Sequence, residues 1–172
     1  TANTTVSVNA IPGPMAMASS NAPICDGNDI NFVADNLAGG QGSGNTYQWY
    51  DPNNLPFSSQ QNPNIFGATA AYNGIYTVVV TNQYLCTATT SVQVDVNPNP
   101  TISISSQINV NCFGESNGSI TTNTSNGTGP YAYTIDFINF NVDGIFDNLP
   151  TGTYTVYVSD ANACQNTVTT TI

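Results

Sequence analysis

Residues 152–164 read GTYTVYVSDANAC, and residues 74–86 have already read GIYTVVVTNQYLC. Both run Gly-x-Tyr-Thr-Val-x-Val into a polar patch and then a cysteine. Within the later copy, Tyr154, Val156 and Val158 alternate with Thr153, Thr155, Tyr157 and Ser159. A period of two with one apolar side is the signature of a half-buried strand. The repeated phrase therefore reads as the late core strand of a β-domain, written once per domain.

Working outward, the two copies bring the whole chain into register. Gly74, Tyr76 and Cys86 match Gly152, Tyr154 and Cys164 at a spacing of 78 residues, while Cys25-Asp26-Gly27 matches Cys112-Phe113-Gly114 at 87. Each unit thus carries one early and one late cysteine. Four cysteines allow three pairings. If each unit closes on itself, the pairs are Cys25–Cys86 and Cys112–Cys164, each stabilising by roughly 4 kcal/mol through loop closure. Such bridges imply an oxidising, extracellular setting. They would staple one end of each unit.

The composition narrows the functions open to the chain. Its 172 residues suggest one or two domains, with 10 Asp+Glu, no Lys, Arg or His, and only 6% charged residues. Hydrophobic residues make up 40%, rich in Val, Ile, Tyr and Phe, which is a strand composition. With no cation to neutralise phosphates, nucleic-acid binding is excluded, and docking on anionic membranes is disfavoured. Without His there is no Ser-His-Asp or Cys-His site. Without Lys there is no Schiff base and no Lys–Asn isopeptide crosslink. No apolar run approaches a membrane span, so direct membrane insertion is not expected. There is no signal peptide and the first residue is not Met. The chain therefore reads as a piece of a longer exported protein.

Strand patterns fill both units. The first offers 14–20, 29–35, 46–50, 63–69, 74–81 and 87–96, with Trp49 as the expected core aromatic. The second offers 101–110, 118–124, 131–138, 140–146, 152–159 and 165–172. Asn73-Gly74, Asn117-Gly118, Asn126-Gly127 and Asp143-Gly144 mark turns between them. No segment has helical spacing. The expected fold is all-β: two tandem Ig-like Greek-key β-sandwiches, each with one disulfide. The expected domains are 13–97 and 98–172. Residues 1–14 resemble 87–100, and 1–12 read as the last strand of a preceding repeat plus a linker.

The second unit resembles the SprB-type repeat of large surface adhesins from gliding Bacteroidota over 101–172. The resemblance rests on Cys112-Phe113-Gly114, Asn117-Gly118-Ser119-Ile120, Gly129-Pro130-Tyr131-Ala132-Tyr133, and the run Leu149-Pro150-Thr151-Gly152-Thr153-Tyr154-Thr155-Val156 through Ala163-Cys164. Where Trp often follows the Pro-Tyr-x-Tyr strand in that family, this chain has Thr134-Ile135-Asp136. The first unit is similar to the immunoglobulin/PKD-like repeats of the same proteins through Cys25-Asp26-Gly27, Trp49, Gly74–Val78 and Cys86. The resemblance implies type IX secretion, a bacterial cell-surface location, and a part in adhesion or gliding motility.

Candidate sites are sparse. Asn139-Phe140-Asn141-Val142-Asp143-Gly144 fits the opening of a calcium loop, and Asp136 and Asp147 add carboxylates. The twelfth position is Pro150 where a bidentate acid belongs. The favoured reading is a hairpin, with Phe140 and Val142 on one strand, a turn at Asp143-Gly144, and Ile145-Phe146 returning. Calcium is the one cofactor raised, through Asp136, Asn139, Asn141, Asp143 and Asp147. Asp26, Asp29 and Asp35 form a second acidic set better read as turn residues. Asn3, Asn117, Asn123 and Asn126 lie in glycosylation sequons. Tyr131, Tyr133, Tyr154 and Tyr157 suggest a carbohydrate platform, but Tyr154 should face inward and Tyr157 outward. Glu115 is the only Glu, so no glycosidase acid pair is defined.

The chain accordingly reads as a non-enzymatic adhesin stalk or binding module. Its partners would be neighbouring repeats, surface polysaccharide, or other copies of itself. The alternatives are a subunit of an extracellular filament joined by strand addition, and a spacer or carbohydrate-binding appendage of an exported enzyme.

Overall fold

The structure is a computed structural model that describes residues 15–36, 44–112 and 114–172. Among the described residues, fifteen strands and one 3-10 turn run in order. They are β1 Ala16–Ser20, β2 Ile24–Cys25, β3 Ile30–Asn36, β4 Thr46–Tyr50, β5 Pro56–Ser58, β6 Asn64–Ile65, a turn at Ala70–Tyr72, β7 Gly74–Thr81, β8 Thr87–Val94, β9 Val96–Asn97, β10 Thr101–Ile108, β11 Gly118–Ser125, β12 Ala132–Thr134, β13 Ile145–Leu149, β14 Thr153–Ser159 and β15 Gln165–Thr171. Among the described residues there is no α-helix, and no helix long and apolar enough to cross a membrane. The chain is all-β, as its composition requires.

The chain divides into two units. The first holds the described residues up to Pro23 together with 29–95, and the second holds 24–28 and 96–172. The short early-cysteine segment 24–28 is therefore part of the second unit. There β2 pairs in parallel with β9, aligning Ile24 with Val96 and Cys25 with Asn97. The reading of 1–12 as an orphan strand lies outside the described residues.

In the first unit, sheet β1-β3-β6 faces sheet β5-β4-β7-β8. The repeated phrase is central to the second sheet, with β7 bonded to β4 on one side and β8 on the other. Its inward residues Tyr76, Val78 and Val80 are buried and its alternate residues are not. Trp49 is fully buried, as expected, and its indole donates to the Gln61 carbonyl at 3.2 Å. Phe32, from the opposite sheet, lies 5.0 Å from the Trp49 ring and 4.8 Å from Tyr76. This aromatic cluster joins the two layers.

The second unit repeats the plan with sheets β10-β11-β13 and β12-β14-β15. Ile102, Ile120, Phe146 and Leu149 from the first sheet meet Tyr133, Val156 and Val158 from the other. Gly118 is required here by close approach. A Cβ added to it would lie 2.6 Å from Ile172 and 2.8 Å from the Leu149 carbonyl oxygen.

Two expectations fail. The strand expected over 140–146 does not form, and 131–138 shortens to Ala132–Thr134. Asn141 instead bridges back to Tyr133, and β13 begins at Ile145 and pairs with β11. The chain thus leaves one sheet and enters the other across 135–144, so no hairpin turns at Asp143-Gly144. Side-chain acceptors explain the difference, because Asn141 Oδ1 takes the Gly144 N–H and Asp143 Oδ1 takes the Ile145 N–H. Local Asx bonds of this kind compete with ladder pairing.

The disulfides are also not those expected. Cys25 bonds to Cys164, with the Cα atoms 5.5 Å apart, across 139 residues of sequence. Cys86 and Cys112 are free thiols. The predicted Cys25–Cys86 and Cys112–Cys164 pairs are absent because 24–28 folds with the second unit and brings Cys25 to the late cysteine of that unit.

Replacing Phe32 with Ala is expected to cost about 3–5 kcal/mol, the usual loss for a buried aromatic. Urea unfolding followed by the fluorescence of Trp49, the single tryptophan, checks this, since Phe32 packs directly on that ring.

Candidate functional site

Three places carry chemistry. The first is the late-cysteine loop, which recurs in both units. In the second unit Asp160 is buried, and its Oδ1 accepts the N–H groups of Asn162 and Cys164, both at 2.9 Å. Its Oδ2 accepts the Thr128 N–H at 2.9 Å. In the first unit Asn82 takes the same place, and its Oδ1 accepts the N–H groups of Tyr84 at 2.9 Å and Cys86 at 3.0 Å. The backbone closes identically, with Asn82 N–H donating to the Cys86 carbonyl at 3.0 Å and Asp160 N–H to that of Cys164 at 2.9 Å. Leu85 and Ala163, just before the cysteines, both have positive φ, 63° and 61°. The early cysteines match too. Asn28 N–H donates to the Cys25 carbonyl and Glu115 N–H to that of Cys112, while Gly27 and Gly114 have φ of 88° and 89°.

The Cys25–Cys164 bridge is held by its surroundings in the second unit. Asp26 N–H donates to the Asn97 carbonyl at 2.8 Å, and Asn99 Nδ2 donates to the Asp26 carbonyl at 2.9 Å. Cys164 is buried.

The second place is the crossing segment 135–144, which contains the calcium candidates. Asp136 is the hub. Its Oδ1 accepts the N–H groups of Ile138 and Asn139, at 2.9 and 2.8 Å, and the Thr134 hydroxyl at 3.1 Å. Its Oδ2 accepts Asn139 Nδ2 at 2.7 Å. The backbone bonds from Asn139 and Ile138, then the Asn139 amide, hold this carboxyl well below the usual carboxylate range. Asn141 Nδ2 donates to the Ile145 carbonyl. A cation would have to displace these donors from Asp136, Asn141 and Asp143 to gain their oxygens. Among the described residues, no group of three or more His, Cys, Asp or Glu is placed to hold a metal ion. Neither Asp147 nor the set Asp26, Asp29 and Asp35 forms such a group, and Asp29 accepts the Gly67 N–H at 2.9 Å. The same segment exposes Phe137, Ile138, Phe140 and Val142, and Phe137 lies 4.2 Å from the Tyr157 ring.

The third place was not foreseen. An open groove of about 590 Å³ in the first unit is bordered by Phe57, Phe66, Tyr72 and Tyr76, with Asp51, Asn53, Asn64 and Asn73 among its polar walls. Phe66 is 74% exposed and Tyr72 40%, so two rings stand in water at its rim. Tyr76 forms its base. Burial, then Asp51, then Tyr72 push the Tyr76 hydroxyl up to about 12, so it stays protonated and donates to the Tyr72 carbonyl at 3.1 Å. Asp51 Oδ1 is taken by the N–H groups of Asn53 and Leu55. The signal was scattered, because Tyr72 and Phe66 sit in turns with no strand pattern.

The four tyrosines of the second unit do not form a shared platform, in keeping with the opposite facings expected for Tyr154 and Tyr157. Tyr133 is buried, Tyr131 donates to the Asn126 carbonyl, and Tyr154 packs on the core with its hydroxyl on the Pro150 carbonyl at 2.8 Å. The sequon residues Asn117, Asn123 and Asn126 are all exposed. Glu115 receives Asn117 Nδ2 at 2.7 Å.

Comparison with known proteins gives a family match and a set of folds. Residues 104–138, within the second unit, match the SprB repeat family. No curated protein sequence matches significantly. Among solved structures, the N-terminal eight Ig domains of Down Syndrome Cell Adhesion Molecule superpose with a TM-score of 0.57 at 15% identity, covering 87% of this chain and 25% of that one. The C-terminal 282-residue fragment of intimin, solved with the intimin-binding domain of its translocated receptor, gives 0.55 at 13% identity, covering 92% and 64%. Three N-terminal domains of the bacteriophage RB49 Highly Immunogenic Outer Capsid protein give 0.48 at 14% identity, covering 93% and 58%. This chain thus spans only part of these longer proteins. At such identities the likeness shows the fold, an Ig-like all-β one.

Asp136 yields a pH prediction. Its folded pKa lies below the unfolded value of about 3.9. The stability it lends is therefore present above that value and is lost as pH falls through the folded pKa. Carboxyl carbon shifts from an NMR titration are expected to show Asp136 still ionised at pH 3. In Asp136→Ala the amide signals of Ile138 and Asn139 should lose their downfield positions.

Proposed function

We propose that this chain is a non-enzymatic repeat fragment of a secreted bacterial cell-surface adhesin, serving as stalk or binding module in surface adhesion or gliding motility. The observation that carries this reading is the SprB repeat match at 104–138, seated in a complete sandwich. The absence of any basic residue supports it, since it leaves no means of holding nucleic acid or an anionic membrane surface. Neighbouring repeats of the same protein are its first partners on this reading. The test places antibody-coated beads, raised against this chain, on living cells of the source organism. Beads are expected to bind and to travel along the surface. Beads that bind and stay fixed would move the role to a static stalk, and failure to bind intact cells would remove the surface location.

The groove of the first unit favours a second, compatible reading, a carbohydrate-binding module. Exposed aromatic faces such as Phe66 and Tyr72 can stack on the C–H faces of a sugar, and the neighbouring Asn and Asp side chains can take its hydroxyls. On a glycan array, Tyr72→Ala and Phe66→Ala are each expected to lower binding to any captured polysaccharide by roughly tenfold, about 1.4 kcal/mol. Equal binding by wild type and both variants would remove the groove from consideration.

A further inference from the structure

We infer that Cys86 and Cys112 are the two halves of a disulfide of the Cys25–Cys164 kind, each made to join an equivalent unit. The bridge therefore runs from the early cysteine of one sequence repeat to the late cysteine of the next. The inference stands on the repeat and on the bond already present, and it is independent of the adhesin reading.

By sequence, Cys112 is the counterpart of Cys25 and Cys86 that of Cys164. In the structure the counterparts of these two cysteines are bonded to each other. The bonded pair joins the early cysteine of the first repeat to the late cysteine of the second, so it leaves over one late and one early cysteine, which is what remains free. Carried forward one repeat, the same rule gives Cys112 a late cysteine in a following unit. Carried back, it gives Cys86 an early cysteine in a preceding one.

Both thiols are accessible and both are presented as in the bonded pair. Cys112 is exposed and Cys86 half-buried, whereas Cys164, in its bridge, is buried. The Asn82 loop holds Cys86 with the bonds that Asp160 uses for Cys164, and the Cys112 turn copies that of Cys25. Asn82 is buried, with 4% exposure, and among the described residues its Nδ2 has no partner. The equivalent Asp160 oxygen is satisfied. A buried amide donor without an acceptor costs about 1–3 kcal/mol. Among the described residues the first-unit loop therefore leaves one amide donor unused.

The chemistry is thiol–disulfide exchange with a small disulfide or a disulfide oxidoreductase, R–S–S–R, as oxidant. The Cys86 thiolate attacks one sulfur and expels one RS⁻. The Cys112-type thiolate of the other unit then attacks the Cys86 sulfur of the mixed disulfide and expels the second RS⁻. One S–S bond forms and one breaks, two protons leave the protein thiols to give two RSH, and two electrons pass from the protein to the oxidant.

The test uses the 172-residue chain and a glutathione redox buffer. Cys86→Ser and Cys112→Ser each remove an exposed or half-buried free thiol, so both variants should fold. Oxidised alone, each is expected to stay largely monomeric. Mixed, they should form a heterodimer at least tenfold in excess of either homodimer, and the wild-type chain should give a ladder of head-to-tail oligomers on a non-reducing gel. Because trypsin has no site, digestion with pepsin and mass spectrometry should find the Cys86 peptide linked to the Cys112 peptide. Statistical pairing of like with like, persistently free thiols, or a Cys86–Cys112 link within one chain would each overturn the inference. Alkylation of intact cells before lysis then identifies the natural source. A link within one polypeptide means successive repeats, a link between polypeptides means a second copy, and free thiols on the cell overturn the assignment.

Discussion

Everything in either unit leans on one strand that must have two faces and two neighbours. β7 and β14 are each paired along their whole length with one antiparallel neighbour, and over Thr77–Thr81 and Tyr157–Ser159 with a second on the other side, so the backbone groups there are used inside the sheet. Their apolar faces then have to be covered by the opposite sheet. Phe32 covers Tyr76 in the first unit, and Ile102 and Ile120 serve Val156 and Val158 in the second. The polar faces carry threonine ladders, such as Thr155 against Thr169 and Thr153 against Thr171, where cross-strand hydroxyls bond at 3.0 and 3.2 Å. A chain with no lysine or arginine thus finds its polar surface in hydroxyls and amides, which bond locally instead of pairing charge.

The strands with dense β-branched alternation were legible. Thr46–Tyr50 and Gly74–Thr81 fall where the pattern puts them, and Trp49 is buried as the largest apolar residue of its strand. The short pieces β2 and β5 were not, because two or three residues cannot display a period, and the strand expected over 63–69 forms only at Asn64–Ile65. Residues 140–146 misled for a different reason. Phe140 and Val142 alternate as a strand should, yet they are 60% and 81% exposed. What decided the segment was Asp136 and Asn141, whose side chains claim backbone N–H groups that a ladder would have needed. Periodicity counts apolar positions and is blind to such local competition. The groove was hidden in the same way, since its rings come from β5, from the residue after β6, from the 3-10 turn and from β7, and share no spacing in sequence.

The cysteines expose a subtler limit. The repeat identified correctly which segments are alike, but likeness does not say where one folded unit ends. Placing the boundary before Cys25 and Cys112 makes each unit close on itself. The structure instead cuts the chain so that 24–28 belongs with the residues from Val96 onward. The main boundary, between Asp95 and Val96, stays close to the one read from the repeat, and only the five-residue segment carrying Cys25 shifts to the other unit. With that shift every equivalence drawn from the sequence survives, including the matched loops at Asn82 and Asp160, while the pairing of cysteines changes completely.

That shift alters how the chain would carry load. A disulfide closing a sequence repeat on itself protects that repeat alone, and tension still passes through the linker to the next. A bridge from Cys25 to Cys164 spans 139 residues. Tension entering the chain ahead of Cys25 and leaving it after Cys164 therefore passes through the sulfur–sulfur bond, and the polypeptide between is not extended even if its strands separate. The denatured chain is restrained over the same span, which by loop closure is worth about 5 kcal/mol. On the proposed reading as a stalk at a cell surface, sandwiches of this size would otherwise be the compliant elements, since their stability rests on cores such as the Trp49–Phe32–Tyr76 cluster and on strands that can be peeled apart. Bridges laid from each repeat to the next would make the covalent path, and not the packing, the element that limits extension.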